Sequence, residues 1–380
     1  MKKRFASYEG RLLVLSVLLV AFYLGIAYFF HAPKGYYGTI EQPRFADPWL
    51  ARTETILNGG VLYRDVFTTT PPLTNLLLIV PSVVSGWFGH LNPWSTLSFM
   101  LYFSLFNLFA ALVLLYMGET REVGYKTAVF FLLNPLTFGN TILRRQDESI
   151  IVFFIAVSIL FFLRQQHVRS ALAIGAAMLV KLTGAVTLPI ALLHSRNWRY
   201  LLFPFLLFAL VMLPFLLAAG RDAMFWDVSK RETQHPFQFD GVSLGSLWNR
   251  YHEEAEQVPL EGPAVLFVVG VGLTAVYLTQ KSHGFLEDLT LLVAVVLILS
   301  PKLHTGYFSM LALTMAPLAQ RYRFTASYFL FGTFAIVADF YKWPIENFPI
   351  AFNLMVITFA LLLFALIQII RLQPKQVAVP

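Results

Sequence analysis

The sequence predicts an all-α polytopic membrane protein with about twelve transmembrane helices. Three observations carry that prediction. Only 13% of the 380 residues are charged, against roughly 25% in an average soluble domain, while 57% are hydrophobic. Residues 11–30 and 348–370 form nearly uncharged runs long enough to cross a hydrocarbon core of about 30 Å. Lysines and arginines fall between the apolar runs in alternate loops, the pattern that marks a cytoplasmic side. A water-soluble globule, a disordered chain and a disulfide-stapled secreted domain are thereby excluded. Runs that are continuously apolar rather than alternating argue against an outer-membrane barrel. With no cysteine, the chain has neither thiolate metal sites nor cysteine nucleophiles.

Lys2, Lys3 and Arg4 precede the first run and hold the N-terminus in the cytoplasm. That run is long, and no small-residue cleavage site precedes the polar His31–Lys34 stretch, so it reads as a span rather than a cleaved signal peptide. Further crossings are expected at 96–117, 125–141, 148–163, 170–181, 183–194, 199–219, 262–280, 286–300, 305–319, 324–338 and 348–370. Two of them, 170–181 and 183–194, are each too short to span alone and read as a hairpin around Lys181. The stretch 72–89 reads either as a span or as an amphipathic helix at the outer interface.

The interfacial reading gives twelve segments with both termini inside, and charge favours it. The inner loops then hold 15 basic residues, among them Arg121, Lys126, Arg164, Arg169, Arg196 and Arg199, against 5 acidic ones, a net +10. The outer side holds 13 basic and 16 acidic residues, a net −3. The overall +7 is thus a topology signal of a multi-pass plasma (inner) membrane protein, and no nucleic-acid partner is implied. One membrane domain is expected over 1–380. It comprises a first outer loop with juxtamembrane helices (31–95), a helical module (96–219), a second outer loop (220–261) and C-terminal helices (262–380). Most acidic residues lie on the outer side, and long loops carry function more often than mere connection, so the chemistry is expected to face outward.

Asp47-Pro48-Trp49 is a helix-start signal, with a capping Asp and Pro at the first helical position. Leu50, Ile56 and Leu57 against Arg52, Glu54 and Asn58 suit a short surface helix closed by Gly59-Gly60. Asp47 is therefore either a cap or a general base at the water–lipid boundary. Tyr63-Arg64-Asp65 and Thr68-Thr69-Thr70-Pro71-Pro72 return the chain to the interface. A second constellation, Asn134-Pro135 and Arg144-Arg145-Gln146-Asp147-Glu148, joins two helices at the outer side. Adjacent guanidiniums there suit a phosphate, each donating a fork of hydrogen bonds. The carboxylates beside them bind sugar hydroxyls or a metal, or simply neutralise the arginines. Lys181 is the sole basic residue in ALAIGAAMLVKLTGAVTLPIALL; charge at such depth is functional or snorkels to the interface. Lys302-Leu303-His304-Thr305-Gly306-Tyr307-Phe308 sits at another outer turn, where Lys302 and His304 are placed to pair with an anionic headgroup. His235 alone makes no metal site. No phosphate loop, HExxH or dinucleotide fingerprint occurs.

The order of these features resembles the GT-C superfamily of membrane glycosyltransferases, in particular the protein O-mannosyltransferase and lipid A aminoarabinose transferase group. The residues carrying the resemblance are Phe45-Ala46-Asp47-Pro48-Trp49, the Gly-Gly-x-Leu-Tyr-Arg-Asp stretch, Pro71-Pro72-Leu73, Arg144–Glu148, the Lys-x-x-Gly of Lys181–Gly184 and the Phe-Trp-rich loop with a histidine at 225–235. Separately, Lys302–Phe308 resembles an element of the GPI-type mannosyltransferases. The likeness covers about residues 10–310.

What it implies is a GT-C fold and an inverting transfer from a dolichyl- or undecaprenyl-phosphate sugar to a hydroxyl acceptor on the outer face. Asp47 would be the base. Arg64, Arg144, Arg145, Lys181 and Lys302 would hold the lipid phosphate. Glu41, Tyr63, Asp65, Gln146, Asp147, Glu148, His304 and Tyr307 would contact sugar or acceptor. Pro48 stands where the aminoarabinose group has a second acidic residue, which argues against a divalent-metal cofactor. No soluble domain follows the last span, which favours a small or lipid-linked acceptor. The rivals are a lipid-linked glycan flippase or secondary transporter, which needs polar residues along a midplane path, and a non-catalytic subunit of a glycan-assembly complex.

Overall fold

The structure is a computed structural model that describes residues 7–31, 48–66, 68, 70–90, 94–220, 241–252, 261–280, 283–342 and 345–371. Helices account for nearly all of them, and the described residues form no strand beyond one isolated bridge between Leu62 and Val66. The chain divides into two compact units, Met1–Leu132 with Phe138–His235, and Leu133–Thr137 with Pro236–Pro380.

The first unit begins with α1 (Tyr8–His31), α2 (Pro48–Leu57), α3 (Pro72–Leu77), α4 (Ile79–Gly86) and α5 (Trp94–Met117). It continues through α6 (Arg121–Leu133), α8 (Glu148–Leu163), α9 (His167–Val180), α10 (Thr187–Ser195) and α11 (Arg199–Ala219), with a π-turn at Gly139–Leu143 ahead of α8; the short α7 (Pro135–Phe138) belongs, but for Phe138, to the second unit. Proline at the start of α2 and of α3 suits the first turn, where its missing N–H breaks no helical bond. Among the described residues, four helical segments are long and apolar enough to cross a membrane: Tyr8–Phe29, Trp94–Met117, Arg199–Ala219 and Phe348–Arg371. Leu201, Leu202, Phe205, Leu210, Leu213 and Leu217 leave α11 apolar on an exposed side, which lipid, not water, can cover.

One expected element differs from the structure, and two others take a definite form. The crossing expected at 125–141 ends at Leu133: Asn134 and Pro135 break the helix, and the chain resumes as α7 and the π-turn. The ambiguous 72–89 stretch forms α3 and α4, split at Leu78, and their combined rise of about 22 Å falls short of a hydrocarbon core. Around Lys181 the chain turns as the sequence suggests. Lys181 is extended (φ −156°, ψ 135°), a 3₁₀ turn covers Leu182–Val186, and Gly184 lies against Ala177 of α9. A Cβ at 184 would stand 2.5 Å from the Ala177 carbonyl carbon, so only glycine fits. Gly175 serves α9 and α11 similarly: its Cβ position is 3.0 Å from Pro204 Cα.

The second unit holds α12 (Leu244–Tyr251), α13 (Glu261–Gln280), α14 (Phe285–Leu299), α15 (Phe308–Arg321), α16 (Thr325–Tyr341) and α17 (Phe348–Arg371). Ser243 caps α12, accepting from the Ser246 amide at 3.0 Å. The buried Asn134 donates to the Tyr328 carbonyl of α16 at 2.9 Å. That contact satisfies a polar side chain in an apolar setting, where an unmet partner would be costly.

Candidate functional site

A cluster of buried charge lies in the first unit, where α9 ends and α8 begins. The Lys181 ammonium donates to Glu148 Oε1 at 2.5 Å and to Asp147 Oδ1 at 3.4 Å. Both carboxylates are nearly sealed, with side chains 2% and 1% exposed, while Lys181 keeps 24%. Asp147 occupies the N-cap position of α8, yet its carboxylate makes no capping hydrogen bond and is turned to the lysine. Asp147 Oδ2 and Glu148 Oε2 are buried and accept no hydrogen bond among the described residues. Such acceptors are expensive to leave unmet, so a donor from water or a ligand would satisfy them. Burial drives the Asp147 carboxyl above the usual carboxylate range, Lys181 opposes that, and the Glu148 charge adds to it.

Lys181 is placed by the break after α9. Its amide still bonds Ala177 at 2.9 Å, its carbonyl accepts from Gly184 at 2.8 Å, and the Val180 carbonyl accepts from Thr74 Oγ1 of α3 at 2.6 Å. The segment 70–75 is thereby fixed beside Lys181. Asn75 Nδ2 donates to the carbonyls of Thr70 (3.1 Å) and Pro71 (3.2 Å).

Helix α2 supplies the other side. Arg52, half-buried, donates to Thr70 Oγ1 at 3.4 Å, and its guanidinium carbon lies 5.2 Å from the Trp49 ring centre. Burial lowers its affinity for the proton and the Asp147 carboxylate raises it, and arginine stays charged. Trp49 Nε1 donates to the Arg145 carbonyl at 3.3 Å. Arg145 itself sits at φ 51°, a left-handed conformation that a non-glycine residue keeps only when its surroundings hold it. Arg144 closes the π-turn through its amide to the Gly139 carbonyl, and Gln146 bonds the Asn140 carbonyl. Arg144, Arg145 and Gln146, next to the carboxylates in sequence, are all half-buried.

The sequence-predicted residues therefore separate. Arg144, Arg145, Gln146, Asp147, Glu148 and Lys181 belong to one neighbourhood. Arg64 and Asp65 pair with each other in an exposed turn at 2.9 Å, with Asp65 also accepting from the Val61 amide at 2.7 Å. Tyr63 is fully buried in an apolar cluster with Leu62, Val66, Met212 and Ala219, and its hydroxyl donates to the Thr70 carbonyl at 3.0 Å. Its ring packs rather than offering a face to a ligand. Asp47 and Glu41 lie outside the described residues. Lys302, His304 and Tyr307 belong to the second unit. There Lys302 and His304 flank the buried Leu303, alternating in an extended segment, and His304 meets Tyr307 edge-on at 6.0 Å. That segment is pinned by Val242 N–H to the Leu303 carbonyl (2.7 Å) and Ser243 Oγ to the Pro301 carbonyl (2.9 Å).

Sequence reasoning missed Arg52, which it placed on the polar face of a surface helix, and Trp49 as more than the third residue of a helix start. The signal was available: positions 49 and 52 are one helical turn apart, a spacing at which side chains touch.

The model of glycosyltransferase family 87 matches residues 67–301, more than half of the sequence. The chain belongs to glycosyltransferase family 87. The glycosyltransferase reading of the sequence stands on that family match, in a chain with helices long and apolar enough to cross a membrane. No curated protein matches its sequence. A similar solved structure is that of ArnT from Cupriavidus metallidurans bound to undecaprenyl phosphate, 14% identical, with 93% of this chain and 77% of that one covered and a TM-score of 0.47. The matched span of the family-87 model takes in the loop at Thr70, both arginines, the carboxylate pair, Lys181 and Lys302.

Proposed function

We propose that this family-87 enzyme transfers a sugar, with inversion, from a polyprenyl-phosphate donor to a hydroxyl acceptor on the outer face of the plasma membrane. Twelve spans with both termini cytoplasmic and a small or lipid-linked acceptor belong to the same reading. Asp47 removes the acceptor proton as its oxygen attacks the anomeric carbon, and the lipid phosphate leaves. Charge grows on that phosphate as the bond breaks, so fixed cations nearby lower the barrier. Arg52, Arg144, Arg145 and Lys181 are the cations proposed for it in the first unit, and Lys302 is the one in the second. Asp147 and Glu148 accept hydrogen bonds from sugar hydroxyls through their unpartnered oxygens, with Gln146 beside them. His304 and Tyr307 are proposed sugar or acceptor contacts of the second unit.

One observation carries the reading: two sealed carboxylates with unmet acceptors share a single lysine, beside arginines, in a chain of a glycosyltransferase family. A sugar joined to a phosphate presents the complementary chemistry, donors next to an anion. The test is transfer by the purified protein from a panel of polyprenyl-phosphate sugars. Asp47→Asn is expected to lower kcat by at least about 10²-fold, the usual contribution of a general base, while insertion and helicity persist. Full activity in that variant would remove Asp47 as the base.

A further inference from the structure

We propose that Thr74 is a positioning residue: it locks the break after α9 and, through Lys181, sets which donor sugar the enclosed carboxyl groups accept. The proposal rests on the reading of Asp147 and Glu148 as sugar contacts. Helix α9 stops at Val180, and Lys181 turns away in extended backbone. In a continuing helix the Val180 carbonyl would accept from the Gly184 amide. That amide goes to the Lys181 carbonyl at 2.8 Å. Val180 is 1% exposed, and a backbone acceptor buried there is costly to leave unmet. Thr74 Oγ1, on a fully buried residue 106 positions away in sequence, donates to it at 2.6 Å. Other helical threonines spend their hydroxyls differently. Thr55, Thr274, Thr290 and Thr358 each donate to the carbonyl four residues earlier in their own helix. Thr74, in the first turn of α3, reaches across to the end of α9.

The residue it holds stands directly ahead of Lys181, whose ammonium reaches Glu148 Oε1 at 2.5 Å and Asp147 Oδ1 at 3.4 Å. The place of those bonds follows from the place of the lysine backbone. Helix α3 is itself held, with proline in its first turn and Asn75 Nδ2 on the carbonyls of Thr70 and Pro71. Thr70 Oγ1 in turn accepts from Arg52. The neighbours Thr74 and Asn75 thus join the lysine turn to the segment that receives Arg52. Without the Thr74 hydroxyl, the backbone at Val180 and Lys181 is free to shift, and the carboxyl groups shift with their cation. Hydrogen bonds weaken steeply with distance and angle, so recognition of sugar hydroxyls suffers. Thr74 touches neither sugar nor phosphate in this role. Its loss should therefore appear as poorer discrimination between donor sugars.

The experiment compares Thr74→Val and Thr74→Ala, which lose the donor, with Thr74→Ser, which keeps it. The probes are the polyprenyl-phosphate sugar that the parent transfers fastest and the mono-deoxy analogues of that sugar. The quantity read is the ratio of kcat/KM between the sugar and each analogue, which does not depend on how much of the protein is folded. In Thr74→Val and Thr74→Ala the ratio is expected to narrow about tenfold for at least one analogue, the scale of one hydrogen bond. Thr74→Ser should keep the parental ratio. The assignment is overturned by parental ratios in both donor-less variants, by an equal fall of kcat/KM for every donor, or by narrowing that Thr74→Ser shares. Absence of folded protein from both donor-less variants overturns it too, since the hydroxyl would then serve the fold. Glu148→Gln run alongside separates the two readings. If it leaves the ratios parental, the carboxyl groups do not read the sugar; if it narrows them while Thr74→Val does not, only the role of Thr74 fails.

Discussion

Removing the Lys181 ammonium tests the centre of the site most directly. In Lys181→Met the methylene stem is kept, while Asp147 and Glu148, 2% and 1% exposed, lose the cation at 3.4 and 2.5 Å. Breaking a buried ion pair by deleting one partner costs about 3–5 kcal/mol. Lys181 is 24% exposed and Arg52 also acts on Asp147, so water and a second cation temper the loss to about 2–4 kcal/mol. The variant has an escape, which is to bind a proton. Asp147 already holds its proton more tightly than an unfolded aspartate does, and losing Lys181 raises that preference. A carboxyl whose folded pKa lies above its unfolded value adds stability below the unfolded pKa and loses it as pH rises through the folded one. The deficit of Lys181→Met should therefore be largest at neutral and alkaline pH and shrink on acidification. Adding Glu148→Gln to Lys181→Met removes the excess charge and should restore about 1–2 kcal/mol, a coupling that a double-mutant cycle isolates. The assay is thermal unfolding in detergent followed by far-ultraviolet circular dichroism between about pH 5 and 8. A pH-independent deficit, or substitutions that simply add, would show that the lysine and the carboxylates do not share the enclosure described.

Two further outcomes follow from the same geometry. Arg52→Gln should raise donor KM about tenfold, the worth of a charge-assisted hydrogen bond, with a smaller effect in Arg52→Lys; unchanged KM in both removes Arg52 from the phosphate contacts. Gly184→Ala forces its Cβ to within 2.5 Å of Ala177 backbone and should destabilise the turn carrying Lys181 by about 1–3 kcal/mol, lowering the unfolding midpoint; a midpoint equal to the parent's would mean the turn has room to relax.

Much of the membrane body was legible because its signal is one-dimensional. A run of apolar residues identifies a helix whatever packs on it, and the bounds of α5, α8, α11 and α17 fall within two residues of the sequence reading. The crossing placed at 125–141 failed because hydropathy is blind to backbone chemistry. Leu-Leu-Asn-Pro-Leu-Thr-Phe stays apolar on average, yet Asn134 and Pro135 end the helix. Candidate residues divided by the same logic. The charges at 144–148 stood out because their neighbours are apolar. Tyr63 stood out equally and proves to be packing, since a tyrosine in a loop gives no sign from sequence that its hydroxyl will find a carbonyl seven residues on.

Lys181 shows what sequence alone could not settle. Depth in an apolar run makes a lysine costly, and it can be accommodated by reaching water, by clamping an anionic ligand or by meeting carboxylates. Only the fold distinguishes these, by bringing α9 and the start of α8 together 33 residues apart in sequence. The pairing also changes what the lysine can do for catalysis. An ammonium whose hydrogen bonds already go to two carboxyl groups has less to offer a phosphate than Arg52, Arg144 or Arg145. Its larger effect is to orient two carboxyl groups in a sealed space, where their outer oxygens can accept from sugar hydroxyls. Lys181→Arg should then be poorly tolerated despite preserving charge, because a planar guanidinium cannot occupy the compact point between Glu148 Oε1 and Asp147 Oδ1. A lysine serving chiefly as a phosphate clamp would tolerate that exchange, since arginine binds phosphate at least as well.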